Sequence, residues 1–183
     1  MKLDRLVSNA SVVNELARTT GAGAAEARAG LKSLLPAVCR ALERSATSPQ
    51  GLERMLRTLV AGGFERYVDS PDLLGGPAAR ADGDVVLGDV LGTKEVSRRV
   101  ASHASESSGL DEALSKKLLP LVACIAMGAL GKRSASGAAL RLPVAEAGDA
   151  LGSLLREILG ERSETVGTES DALDGILDFV DET

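Results

Sequence analysis

Leu-Leu-Pro occurs at 34–36 and again at 118–120, and each copy runs straight into an apolar segment. Inside a helix, proline removes a backbone N–H and clashes with the preceding turn, at a cost of ~3 kcal/mol; in the first turn it fits comfortably. Each tripeptide therefore predicts either a kinked helix or a new helix after a sharp bend. Both outcomes aim the following apolar segment at a core. The rest of the apolar content points the same way. Ala and Leu dominate it, the aromatics are Phe64, Tyr67 and Phe179 alone, and Trp is absent. Ala and Leu favour helix, whereas strands favour β-branched and aromatic residues. The prediction is an all-α multihelical array of eight or nine helices, closely packed.

The two tripeptides stand 84 positions apart, and other identities fall at the same offset. Val12 matches Val96, Ala17 matches Ala101, Ala29 matches Ala113, and Val38 matches Val122. Both copies read as an amphipathic helix, a Gly-containing turn, a polar-rich helix, then Leu-Leu-Pro and an apolar helix. A repeated supersecondary unit of this kind predicts two related helical halves.

Turn chemistry divides the 183 residues. An N-terminal helical half covers 1–68, and residues 69–84 read as a linker. That linker carries Ser70-Pro71, Gly75-Gly76-Pro77 and Asp82-Gly83-Asp84, all turn-forming combinations. A C-terminal helical half covers 85–160, and 161–183 is an acidic tether followed by a short amphipathic helix. Local signals give finer boundaries. Asn9 or Ser8 caps a helix that ends at Gly21 and Gly23. Ala24 to Lys32 and Leu34 to Arg44 read as separate helices, the second starting near Pro36. Ser48-Pro49 opens another, stopped by Gly62-Gly63, with one short turn at 64–68. Asp84 is read as the cap of a short helix over 85–91. Thr93 caps the next, Gly109 ends it, and Asp111 opens a long helix to about Leu130. Residues 131–141 read as a loop and 144–159 as a helix. The candidate core is Val12, Leu16, Leu34, Leu35, Val38, Leu56, Leu59, Phe64, Leu87, Val96, Val100, Leu118, Leu119, Val122, Ile125, Met127 and Leu130.

A chain of this length can bury roughly 70% of its unfolded surface, so it needs neither disulfide nor metal for a core. Cys39 and Cys124 both lie in apolar runs and are read as reduced core thiols of a cytoplasmic protein. Lys2 and Arg5 are followed by polar residues rather than the apolar stretch of a signal peptide. The most apolar window, Leu118 to Gly131, is shorter than a bilayer span requires. Charge is uneven. From Glu161 onward eight acidic residues face Arg162 alone, a net −7 within a total of −5. Non-specific nucleic-acid binding relies on Lys and Arg neutralising phosphates, so this balance disfavours it.

Local patterns that resemble chemistry reduce to helix punctuation. Gly21-Ala22-Gly23 lacks the third glycine of a dinucleotide loop, which would fall at Glu26, and a helix precedes it. Gly131-Lys132-Arg133-Ser134 has Ala126 where a phosphate loop needs Gly, and its cations suit a helix C-terminus. Asp82-Gly83-Asp84 is followed by Val85, Val86 and Leu87 where calcium would need oxygen ligands, so it is read as capping. The lone His103 has no evident orienting carboxylate for acid–base work. No Cys/His spacing fits a metal. The chain is expected to be non-enzymatic, without cofactor, metal site or catalytic residue. Arg98-Arg99, Lys116-Lys117 and Lys132-Arg133 are read as solvated helix faces and ends, with a single basic patch as the alternative.

The stretch 82–133 resembles the YidB-like family of bacterial proteins of unknown function. The matching elements are Leu87-Gly88 to Leu91-Gly92, the Val96 to Ala101 helix, the Gly109 to Asp111 turn, Leu118-Leu119-Pro120, and Met127 to Lys132. Leu34-Leu35-Pro36 and the Pro49 to Gly63 helix fit longer members, which extends the resemblance to about 8–160. The resemblance implies an all-helical, cytoplasmic protein and brings no activity. Helical members have been likened to homeodomain-type arrays, which implies a DNA-binding alternative. Its best recognition helix here, Lys94 to His103, is weakly basic.

The tail carries the most distinctive surface. Leu173, Ile176, Leu177 and Val180 recur at helical spacing, with Phe179 beside them and Asp171, Asp174, Asp178 and Asp181 between. These five apolar residues are the candidate partner-docking site. The expected role is an interaction or scaffold protein, working through a protein partner or self-association. Membrane association through the Leu118 to Gly131 segment is the less favoured alternative.

Overall fold

The computed structural model describes residues 3–136, 151 and 153–156. Among them are eight α-helices and one 3-10 turn, with no strand. In order these are α1 (Leu3–Val7), α2 (Ala10–Thr20), α3 (Ala24–Thr47), α4 (Pro49–Gly62), α5 (Glu65–Asp69), the 3-10 turn Pro71–Gly75, α6 (Pro77–Leu91), α7 (Lys94–Ser108) and α8 (Glu112–Ser136). Residues 151 and 153–156 are helical as well.

Most helix ends follow from capping. The Asn9 side chain accepts hydrogen bonds from the Ser11 and Val12 amides and opens α2. Thr93, 84 positions on, accepts from the Val96 amide and opens α7. Ser48 accepts from the Gly51 amide, with Pro49 in the first turn of α4. Gly21, Gly63 and Gly109 close α2, α4 and α7 in the left-handed conformation that glycine adopts without steric penalty.

Two expectations about prolines and turns are corrected. The predicted helices 24–32 and 34–44 are one helix, and α3 runs through Pro36 without a break. Pro120 likewise sits inside α8. Each proline leaves the carbonyl four residues earlier without its helical donor, yet the helices packed against α3 and α8 hold each together. The 69–84 segment is not a string of turns. Pro71 and Pro77 each take the first turn of the element they precede, so they start helix rather than interrupt it. Asp82-Gly83-Asp84 therefore lies in the middle of α6, and Asp84 caps nothing. Gly83 is required there by a close approach: a Cβ at this position would overlap the Pro120 backbone of α8. Of the expected loop at 131–141, residues 131–136 are instead helix, the end of α8; 137–141 lie outside the described residues.

The packing centres on α8. It touches α3, α5, α6 and α7 extensively, and α2 and α4 more lightly. Every residue from Leu118 to Gly131 is buried. α2 packs on α3 and also on α8; α7 packs on α8 and also on α3. Helices at the same place in the two copies of the repeat thus make reciprocal contacts across one continuous core. That core runs from Leu6 to Leu155 and contains the whole predicted set except Leu56, which is half-buried against it.

Candidate functional site

A polar cluster of three side chains joins α5 to α6. Tyr67 and Arg66 start from opposite requirements: the ring belongs in the core and the guanidinium in water. α5 places them side by side, with the Arg66 guanidinium 4.8 Å from the Tyr67 ring centre. The Tyr67 hydroxyl donates to Asp82 Oδ2 at 2.5 Å, and Arg66 Nη2 donates to the same oxygen at 2.6 Å. Arg66 Nη1 also reaches the Gly62 carbonyl at 2.5 Å, which ties the end of α4 into the group. Burial and the Asp82 carboxylate together push the Tyr67 hydroxyl above its ordinary range. The hydroxyl is a fixed donor rather than an available base.

Cys124 lies behind this cluster. Its thiol donates to the Ala79 carbonyl of α6 at 3.1 Å. Burial, with the Asp82 charge adding to it, pushes the thiol up to about 12. Burial, then the nearby Glu43 carboxylate, does the same to Cys39. Both cysteines are free and buried. Thiolate is the reactive form, so neither thiol is poised as a nucleophile at neutral pH. Small residues complete the joint: a Cβ at Gly128 would overlap the Phe64 carbonyl, and one at Gly131 the Glu65 carboxylate. The cluster is a clasp holding α5 and α6 on α8. Thr58 adds a second clasp from α4, donating to Asp89 Oδ2 of α6 at 2.5 Å.

The remaining candidates are dispersed. His103 is half-buried on α7. Arg98 pairs with Glu95, Lys116 with Glu112, and Lys132 with Asp69. Lys116 and Lys132 are 16 residues apart on one helix, about 24 Å at 1.5 Å per residue, so they do not share a single patch. Among the described residues no group of three or more His, Cys, Asp or Glu side chains is placed to hold a metal. The segment 112–134 of α8 is long and apolar enough to cross a membrane by length and composition, longer than the window read from sequence, but 78% of its apolar window is buried inside the fold. The docking candidates Leu173, Ile176, Leu177, Phe179 and Val180 lie outside the described residues.

Sequence reasoning missed the clasp. Tyr67 was assigned only to a short turn and Asp82 to capping. The available signal was the scarcity of aromatics: a lone Tyr in a chain this poor in rings needs a partner for its hydroxyl when buried.

The two Leu-Leu-Pro helices, the α6–α8 joint and the cap at Thr93 all fall in one matched region. A family described as "Bacterial protein of unknown function (DUF937)" matches residues 4–133. The chain belongs to this family, of which YidB is a member. The match stops short of the expected 160, so everything beyond α8 lies outside it. No curated protein and no solved structure matches the chain.

Proposed function

We propose that this DUF937 chain is a non-enzymatic, cytoplasmic interaction or scaffold protein whose docking element is the acidic amphipathic tail. One observation carries this reading. The family match ends at residue 133, and the tail beyond it combines helically spaced apolar residues with eight acidic ones. Such a pattern fits helix-in-groove recognition. Two features of the body support it. Tyr67, Asp82 and Arg66 are engaged with one another in joining helices. Both thiols are buried and free, as suits a reducing compartment.

Co-purification from the native cell tests the proposal. The full chain and a version lacking 171–183 are compared for bound proteins and for oligomeric state. Loss of a partner, or a change of oligomer, on removing the tail is expected. Identical partners and identical size in both would overturn it.

A further inference from the structure

We draw no further inference here: the strongest candidate, the exposed outer face of α6 where Ala78, Ala81, Val85 and Gly88 recur at helical spacing, is a short stripe of small residues, and nothing in the structure shows what covers it.

Discussion

α3 and α8 begin from the same pattern and end in different surroundings. They have 24 and 25 residues, and each carries its proline inside the helix. Leu34, Leu35 and Val38 are buried in α3, as are Leu118, Leu119 and Val122 in α8. Past the proline the copies part. α3 has Arg40, Glu43 and Arg44 where α8 has Cys124, Met127 and Gly128. The α3 residues are half-buried, and Glu43 meets Arg156; the α8 residues are fully enclosed. A helix wrapped on one side keeps a polar stripe, and a helix wrapped on all sides cannot. The repeat supplied a proline-containing apolar helix twice, and position in the packing decided how much of each could remain polar.

Exchanging residues across the comparison tests it most severely. Gly128→Arg places the α3 residue into α8, where no room exists beside the Phe64 carbonyl and no water can reach the charge. This variant should lose more than about 4 kcal/mol, enough to abolish cooperative folding. The reverse change, Arg44→Gly, should cost about 1–2 kcal/mol, mostly helix propensity. Urea melts followed by circular dichroism separate the two; similar losses would refute the asymmetry.

The shared feature of the two helices is the next test. Each carries one cysteine whose thiol is raised to about 12 from an ordinary 9. A raised thiol binds its proton more tightly when folded. Stability is then fully present below pH 9 and is lost as pH rises from 9 towards 12. Measured between pH 8 and 11, urea midpoints should fall, and the fall should be smaller in a Cys39→Ala, Cys124→Ala chain than in the parent. Parallel pH profiles would refute the assignment.

The clasp that keeps α8 enclosed predicts a smaller effect. Tyr67→Phe removes the hydroxyl from Asp82 and leaves Arg66 in place, at a cost of about 1–2 kcal/mol. Asp82→Asn in the Tyr67→Phe background should then add less than it does alone, a coupling that a double-mutant cycle reads. Strict additivity would show that the two groups act separately.

Least costly is a change at Ser115. Its hydroxyl is buried in α8 with no hydrogen-bond partner among the described residues, and the α3 counterpart is the buried Leu31. Ser115→Ala should leave stability unchanged or raise it by up to about 1 kcal/mol. A clear loss in thermal melts would mean the hydroxyl is satisfied after all.

Sequence alone determined the helical class, the caps at Asn9, Ser48 and Thr93, the stops at Gly21, Gly63 and Gly109, and nearly all of the core. These are local or periodic signals: a side chain bonding its own helix start, or apolar residues returning every three or four positions. The 84-residue offset was equally legible. Tertiary structure decided the rest. Proline and Asp-Gly-Asp both read as breaks, because their local cost is visible in sequence and their compensation is not. Pro36 and Pro120 stay inside helices because neighbouring helices hold them, and Gly83 stays inside α6 because only a missing side chain lets that helix lie on Pro120. Tyr67 and Asp82 are 15 residues apart in sequence, and only the packing of both α5 and α6 on α8 makes them partners. The two helices share Leu-Leu-Pro; contact with six other α-helices made α8 the centre.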